Sequence, residues 1–405
     1  MNTTPFPRSI SPRPLAVLAV LAGVLFASAA LPRGAEAARN LEIALQDDTV
    51  FVGERYIDRK QAFRHARALG VTRLRVNANW AYSMPKSQWR ARRKPQQVLW
   101  IFPGLDSLID AAAENGIRVH LSITGPAPVW ASGNRKVSGW QPNTRYFGEF
   151  ASALAEHFKG RVDRYSIWNE PNWRTWLGPL KNGPGLYRSL YQRGYAAVKK
   201  ADPAAKVLIG ETSPYARPGF STAPIAFLRS LACVNSRWKR VRRCPVLKAD
   251  GYAHHPYDFR HAPNYRYPGA DNATIGSLSN LTRAIDRIAR TGALRFNGGG
   301  RMPLYLTEFG YLQDGHRSLP SKQRSRYLAQ AFGMALKNGR VRSQLHYLLV
   351  SPPRNAPGAY FNTGLMTRRG AKYPQYRALQ RWYQSNRGRV RRPGAAISLP
   401  PAGSG

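Results

Sequence analysis

Short apolar segments alternate regularly with amphipathic helical segments between about residues 40 and 383. The apolar segments predict eight strands, at residues 41–45, 71–76, 117–123, 162–168, 206–209, 250–254, around 304, and 345–350. The clearest helical pattern precedes the fourth strand, where apolar residues recur at intervals of three and four: Phe147, Phe150, Ala151, Leu154, Ala155 and Phe158. Strict alternation of strands and helices predicts an α/β fold, a single (β/α)8 TIM barrel. An open doubly wound sheet is the alternative, but no Gly-rich phosphate loop follows the first strand.

The alternating pattern stops at both ends of the chain. Near the start, two arginines precede an apolar run over residues 15–31, which ends near the small-x-small site Ala35-Glu36-Ala37. This arrangement predicts a cleaved signal peptide over residues 1–38, with an uncleaved membrane anchor as the alternative. We favour cleavage because the run is rich in alanine, and we expect a secreted, extracellular protein. Residues 39–386 then form the barrel domain, and residues 387–405 lack periodicity, which predicts a disordered basic tail.

Two glutamates stand where predicted strands end. Glu170 follows the fourth strand, and Pro171 stops regular pairing directly after it. Glu308 follows the seventh strand and is succeeded by Gly310, which allows the chain to turn. Barrel enzymes carry their reacting groups at the C-terminal ends of strands, so we expect the two carboxylates to lie at one face. Cleavage of a glycosidic bond requires such a pair.

Further polar and aromatic residues occupy the same strand ends. Arg75 lies in the second strand, Asn169 precedes Glu170, and His255 and Tyr257 follow the sixth strand. Polar side chains of these types hydrogen-bond sugar hydroxyls, while aromatic faces stack on sugar rings. The other aromatic residues expected at this face are Trp80, Trp89, Trp130, Trp140, Trp173, Trp176 and Tyr311.

Three of these segments resemble the clan A glycoside hydrolases, above all families 5 and 39, which include cellulases and β-xylosidases. The segments are Trp168-Asn169-Glu170-Pro171-Asn172, His255-Pro256-Tyr257 and Thr307-Glu308-Phe309-Gly310. The resemblance extends over roughly residues 41–383. It implies a retaining enzyme that hydrolyses β-glycosidic bonds in a poly- or oligosaccharide and needs no metal or cofactor.

The resemblance also implies a role for each residue. Glu170 would be the general acid/base and Glu308 the nucleophile. Asn169 would hydrogen-bond the 2-hydroxyl of the reacting sugar, and His255 would line the site near the acid/base. Arg75 and Tyr257 would keep the nucleophile ionised and aimed.

Several positions carry open interpretations. Families of this type have a Trp at the end of strand eight, where this chain has none; Tyr347 or Tyr360 takes its place, or that subsite is built differently. Glu211, after the fifth strand, is a weaker candidate that we interpret as a structural or subsite residue. We interpret His254 as a core histidine, because adjacent residues on a strand point to opposite faces.

The charge of the chain is extreme, with 62 Lys and Arg residues against 21 Asp and Glu and a formal net charge of +41. Outside a cell, such an excess predicts attraction to anionic polysaccharide, wall polymer or lipid headgroups, with a biased base composition as the alternative. One basic segment, 90–94, is predicted on the catalytic face. Segment 237–243 and the tail arginines are predicted on the opposite face. The tail arginines are Arg387, Arg389, Arg391 and Arg392. These residues form either a tether to an anionic wall or membrane surface or a solvated charge run.

The two cysteines, Cys233 and Cys244, are close in sequence, which predicts a disulfide in an exported chain. Two buried free thiols are the alternative. A metal site is disfavoured because no histidine lies beside them.

Other classes of function fit the sequence less well. A carbohydrate-binding protein on an inactive barrel is the first alternative, favoured by the missing Trp and opposed by the two carboxylates. A nucleic-acid-binding protein would suit the charge, but no helix-turn-helix, zinc-finger or aromatic-platform signature is present, so we expect no nucleic acid partner. A serine hydrolase is disfavoured because the chain has no G-x-S-x-G motif.

Overall fold

The computed structural model describes residues 40–241 and 244–401. Its strands are β1 (Glu42–Gln46), β2 (Val71–Asn79), β3 (Arg118–Thr124), β4 (Arg164–Ile167), β5 (Lys206–Thr212), β6 (Leu247–Ala249), β7 (Gly251–His254), β8 (Leu294–Phe296), β9 (Leu304–Leu306) and β10 (Val341–Tyr347). Eight of them form a closed barrel in the order β1-β10-β9-β7-β5-β4-β3-β2, and every neighbouring pair is parallel. The predicted (β/α)8 TIM barrel is therefore confirmed.

Helices surround the barrel: α1 (Asp48–Phe51), α2 (Arg59–Ala68), α3 (Lys86–Trp89), α4 (Pro103–Glu114), α5 (Thr144–His157), α6 (Gly183–Ala201), α7 (Pro224–Leu231), α8 (Leu278–Arg290), α9 (Ser321–Lys337) and α10 (Pro374–Asn386). Local sequence fixes their starts. Asn143, for example, accepts hydrogen bonds from the first backbone N–H groups of α5. The apolar face predicted for α5 is fully buried against the barrel, so the 3.6-residue period located that helix correctly.

Two strand details differ from the sequence prediction. The eighth barrel strand runs from Val341 and ends at Tyr347, because Leu348 has a positive φ of 66° that breaks extended pairing. The sequence pattern does not predict the second sheet, in which β6 pairs with β8. Each of its strands has three residues, which is too short for an alternating pattern to stand out.

No helix in the described part of the chain is long and apolar enough to cross a membrane. The predicted signal peptide lies outside the described residues. The predicted disulfide is present: Cys233 and Cys244 are bonded, in the loop between α7 and β6. Arg242 and Arg243 of the basic segment inside that loop also lie outside the described residues.

An ionic network fills the N-terminal end of the barrel interior. Glu42 accepts hydrogen bonds from Arg73 at 3.2 Å and from Arg164 at 2.6 Å, and it pairs with Arg391 at 2.8 Å. Arg73 also pairs with Asp163 at 2.6 Å. Burial alone would raise the pKa of Glu42, but the charges of Arg73 and Arg164 hold it well below its usual value. The carboxylate is therefore ionised and shared by several cations.

The segment 387–401 packs against this end of the barrel. Asn40 donates a backbone hydrogen bond to Arg389, and Arg391 donates one to Leu41, at 3.1 and 3.0 Å. Val390, next to them, is buried. Further along, the backbone of Ile397 donates to Ala113 at 2.8 Å. These contacts correct the prediction of a disordered tail for residues 387–401, because main-chain partners and one ion pair order a segment that has no apolar period.

We expect Glu42→Gln to lower the free energy of unfolding by about 3–5 kcal/mol, because Arg73 and Arg164 would remain buried with too little negative charge. Urea denaturation measures the change. Glu114→Gln is the matched control, since Glu114 is exposed on the surface of α4. The control is expected to cost less than about 1 kcal/mol. Equal losses in the two variants would contradict this account of the network.

Candidate active site

The two glutamates predicted to react lie together at the C-terminal mouth of the barrel. The chain leaves β4 through two residues with positive φ, Trp168 at 69° and Glu170 at 38°, which turn the Glu170 carboxylate into the mouth. Glu308 follows β9 directly and is 9% exposed. A carboxylate oxygen of Glu170, one of Glu308 and a ring nitrogen of His255 all lie within 4.8 Å of one another. The two carboxylates are thus close enough to act on one bond.

Arg75 is the buried centre of the site. Its guanidinium donates to Glu308 Oε1 at 2.9 Å, to Asn169 Oδ1 at 2.9 Å and to Glu211 Oε2 at 3.1 Å. Although burial acts to lower the pKa of Arg75, the charges of Glu211 and Glu308 raise it above its usual value. Arg75 is therefore a fixed cation. Because it holds the Asn169 oxygen, the amide nitrogen of Asn169 is left to face away from it.

His255 bridges the carboxylates. Its Nδ1 lies 3.1 Å from Glu170 Oε1, and its Nε2 lies 2.7 Å from Glu211 Oε2. The same Nδ1 is 3.6 Å from Glu308. Burial lowers the pKa of His255, but Glu308, Glu170 and Glu211 outweigh it and raise that pKa to about 9. Both ring nitrogens therefore carry protons near neutral pH and donate to carboxylates.

Glu211 is more central to the site than its position after a strand indicates. Its side chain is fully buried and accepts from Arg75, His255 and the Thr307 hydroxyl, the last at 2.8 Å. Burial alone would raise its pKa, but Arg75 and His255 hold it well below the usual value. Its backbone carbonyl also accepts from the N–H of Glu170 at 2.9 Å. The same signal that marked Glu170 and Glu308, a Glu at the exit of a strand, was present here.

Two tyrosines complete the surroundings of Glu308. Tyr257 donates from its hydroxyl to Glu308 Oε2 at 3.2 Å. Burial and the negative charge of Glu308 raise the pKa of both Tyr257 and Tyr347, so both keep their protons. Tyr360 is 79% exposed. Of the two replacements considered for the missing Trp, the structure thus places Tyr347 within electrostatic reach of Glu308.

Burial is also the largest influence on the pKa of Glu308. Burial raises the pKa of Glu308, while His255 and Arg75 lower it and Glu170 and Glu211 raise it. The net effect is to raise the pKa of Glu308 above its usual value.

The structure places the predicted aromatic residues in different environments. Trp80 is fully buried, with its ring 5.7 Å from Phe147 and 6.3 Å from Phe150 on α5. The expectation that Trp80 stacks on sugar is therefore wrong, because its ring is part of the helix packing. Trp130 is half-buried and donates its indole N–H to the Gln88 carbonyl at 3.1 Å.

Other tryptophans do reach the mouth. Trp173 is half-buried on the loop directly after Glu170. Trp176, on the same loop, is 42% exposed and donates its indole N–H to Glu170 Oε2 at 3.1 Å. Trp140 is 41% exposed, and its backbone pairs with Gly178. The exposed rings of Trp140 and Trp176 therefore lie on neighbouring loops beside Glu170.

Glu170, His255 and Glu308 present the one group of donor atoms in residues 40–241 and 244–401 that could hold a metal ion. A histidine must be neutral to bind a metal. The raised pKa of His255 opposes this, and its hydrogen bonds are those of a cation between carboxylates. The donor set therefore suits proton chemistry better than metal binding.

A parallel barrel with paired glutamates at its C-terminal mouth defines the class of clan A glycoside hydrolases. The model of the cellulase family, glycosyl hydrolase family 5, matches residues 37–338, and the chain belongs to this family. Endo-1,4-beta-xylanase A of Phanerodontia chrysosporium is 33% identical over 132 residues, which are 31% of each chain. A beta-xylosidase of Caldicellulosiruptor saccharolyticus is 26% identical over 121 residues, 26% of this chain and 24% of that protein. The chain thus matches about a third or less of the length of these curated relatives.

Solved structures share the fold at low sequence identity. A family 39 glycoside hydrolase from Bacteroides cellulosilyticus WH2 has a TM-score of 0.59 and 17% identity, over 85% of this chain and 63% of that one. Xylanase 10B from Thermotoga maritima has a TM-score of 0.54 and 17% identity, over 86% of this chain and 96% of that one. These likenesses show a common barrel.

Replacing Glu211 with Gln keeps the size of the side chain and removes its charge. Because Glu211 helps to raise the pKa of His255 to about 9, we expect that pKa to fall in Glu211→Gln, so that the imidazolium loses its proton at lower pH. Loosening of Arg75 and His255 should also reduce catalysis about 100-fold. An NMR titration of His255 and the pH dependence of kcat/KM measure the two effects.

Glu114→Gln, on the exposed surface of α4, serves as the control. It should leave both the titration and the rate unchanged. An unaltered His255 titration in Glu211→Gln would contradict the bridging role of Glu211.

Proposed function

We propose that the protein is a retaining glycoside hydrolase that cleaves β-O-glycosidic bonds of a poly- or oligosaccharide. The observation that carries this proposal is the separation of Glu170 and Glu308, whose nearest oxygens lie within 4.8 Å. Retaining enzymes hold their carboxyl groups about 5–5.5 Å apart, whereas inverting enzymes need about 6.5–9.5 Å to admit a water between them. The spacing of Glu170 and Glu308 therefore fits the retaining arrangement better than the inverting one.

The surroundings of the two carboxylates support different roles. Glu308 accepts from Arg75 and from Tyr257, and both contacts favour its ionised form. A nucleophile must be ionised, so Glu308 is assigned that role. Glu170 lies beside the exposed indole of Trp176, where a leaving sugar can depart. It is assigned the role of general acid/base.

The charge balance of the site fits the start of the reaction. Three carboxylates, Glu170, Glu211 and Glu308, face two cations, Arg75 and His255. One further proton makes the cluster neutral, which a buried site favours. With that proton on Glu170, the acid is loaded and the nucleophile is charged.

The double displacement then follows from the geometry. Glu308 attacks the anomeric carbon while Glu170 gives its proton to the glycosidic oxygen, and the leaving sugar departs as an alcohol. Glu170 next removes a proton from water, which releases Glu308 from the glycosyl-enzyme. His255 donates to Glu170 and stabilises the carboxylate formed between these steps. The amide of Asn169 is turned to donate to the 2-hydroxyl of the reacting sugar.

The exposed aromatic rings at the mouth and the names of the relatives together indicate the class of substrate. The exposed rings of Trp140 and Trp176 favour a chain of sugars over a single residue. The relatives named endo-1,4-beta-xylanase and beta-xylosidase support a β-linked substrate and make xylan the first to test.

We further propose that the protein is secreted, from the signal-peptide pattern of residues 1–38, and held near an anionic envelope surface by its basic face. Arg387, Arg389 and Arg392 are exposed at the barrel end opposite the mouth, which supports this arrangement. Recovery of a chain beginning after Ala37 or Ala38 from culture medium tests secretion. Retention on an anionic wall fraction that persists after removal of residues 387–405 and 237–243 would argue against the tether.

The proposed roles predict distinct kinetics for two isosteric variants. Glu308→Gln should lose at least about 10³-fold in kcat on every substrate, because no nucleophile remains. Glu170→Gln should lose as much on xylan and other polysaccharides but retain activity on aryl β-glycosides, whose leaving groups need no proton. Initial rates on gluco, xylo, manno and galacto aryl glycosides measure both, with Glu114→Gln as the unaffected control.

Equal loss in Glu170→Gln on both kinds of substrate would contradict its role as the acid. A parent protein that hydrolyses nothing yet still binds a polysaccharide would instead favour the inactive carbohydrate-binding alternative.

A further inference from the structure

A cluster of arginines and aromatic rings borders Glu170 at the mouth. It consists of Trp173 and Arg174 on the loop after β4, and Arg217 and Phe220 on the loop after β5; we call it the arginine platform. The Arg217 guanidinium carbon lies 5.6 Å from the Trp173 ring centre and 5.8 Å from that of Phe220. That of Arg174 lies 5.1 Å from the Phe220 ring centre. Two guanidinium groups are thus stacked around one exposed ring.

The backbone ties this platform rigidly to the reacting residue. Trp173 donates its N–H to the carbonyl of Glu170 at 2.9 Å, and Arg174 donates to the carbonyl of Phe220 at 2.8 Å. The N–H of Arg217 donates to the Ser221 hydroxyl at 2.9 Å. The two loops are therefore fastened to each other and to Glu170, so the backbone that carries both arginines keeps a fixed relation to the acid.

Neither guanidinium has a carboxylate partner among the residues that the structure describes. Arg174 donates to the carbonyl of Gly219 at 3.1 Å, and Arg217 makes stacking contacts. By contrast, Arg229, which also stacks on a tryptophan, is paired with Asp271 at 2.6 Å. Stacking covers one face of a guanidinium and leaves its N–H edge open to an oxyanion. The platform therefore holds two positive charges that have no carboxylate counterion among the described residues.

The position of the platform assigns it to one side of the scissile bond. Glu170 gives its proton to the leaving sugar, so the groups beside Glu170 contact the leaving-group side of the substrate. Trp176, which hydrogen-bonds Glu170, continues the same loop from Arg174. A leaving sugar that stacks on the exposed indole of Trp176 would therefore lie beside the loop that carries Arg174.

We propose that the arginine platform is a subsite for a carboxylate-bearing sugar on the leaving-group side, so that the preferred substrate is a β-linked polysaccharide containing uronic acid. This inference rests on the proposed function. A carboxylate matches the planar N–H edge of arginine, and stacking on Phe220 and Trp173 fixes that edge in advance. The exposed basic residues of segment 90–94 lie on the same face and add long-range attraction.

The test compares one polymer in two forms, a uronic-acid-bearing xylan and the same xylan after chemical reduction of its carboxyl groups to alcohols. The parent should show a higher kcat/KM on the acidic form by about tenfold, the effect of one or two charge-assisted hydrogen bonds. Arg217→Gln and Arg174→Gln should each lower that preference, mainly through KM. Both should leave the rate on the reduced xylan within about twofold of the parent.

Arg326→Gln is the matched control. Arg326 is an exposed arginine on α9 whose guanidinium carbon lies 5.4 Å from the Tyr327 ring centre, so the variant removes one stacked charge elsewhere. It should keep the full preference for the acidic xylan. A loss of preference equal to that in Arg217→Gln would assign the effect to net charge and overturn the subsite.

Equal rates on the two xylans in the parent, or an unchanged preference in Arg217→Gln and Arg174→Gln, would also overturn it. Failure of the proposed function has a different signature, namely no hydrolysis of either xylan or of aryl glycosides. In that event affinity electrophoresis in the two xylans decides the inference. Retardation by the acidic form that is lost in Arg217→Gln supports the subsite, and equal retardation of parent and variant contradicts it.

Discussion

The Arg75 guanidinium lies inside the barrel, 1% exposed, and a charge so deeply buried is tolerated only where anions and hydrogen-bond acceptors surround it. The barrel supplies these partners from separate strands: Asn169 follows β4, Glu211 lies in β5 and Glu308 follows β9. Because all three side chains bind the same guanidinium, the distances between Asn169, Glu211 and Glu308 are fixed. The spacing of the mouth therefore depends on satisfying this cation, which holds Glu308 directly.

His255 extends the same constraint to Glu170. Since both of its ring nitrogens meet carboxylates, the imidazole is kept charged and takes the place of a second fixed cation. Glu211 serves both cations and also holds the backbone of Glu170. In the proposed mechanism, one further proton neutralises this cluster of three carboxylates and two cations, and the double displacement moves that proton. The proposed mechanism therefore depends on the balance of charge in the site as well as on the positions of its side chains.

Much of this could be predicted from the sequence because it depends on local pattern. Alternating apolar segments fixed the number of barrel units, and Glu170 and Glu308 could be located because each follows a strand. Glu211 carries the same signal, but its importance comes from partners on three other elements, which no local pattern reveals. Trp80 follows a strand too, and its burial depends on how α5 packs. Segment 387–401 is ordered by main-chain contacts, and the periodicity of apolar side chains does not predict such contacts.

The measurement that tests the central claim most directly is the anomeric configuration of the first product, followed by proton NMR in the minutes before mutarotation. A β-linked substrate should yield the β-anomer first, because the proposed attack by Glu308 followed by attack of water inverts the anomeric carbon twice. Initial formation of the α-anomer would show direct attack by water. It would contradict the assignment of Glu308 as nucleophile and the account of the mouth built on it.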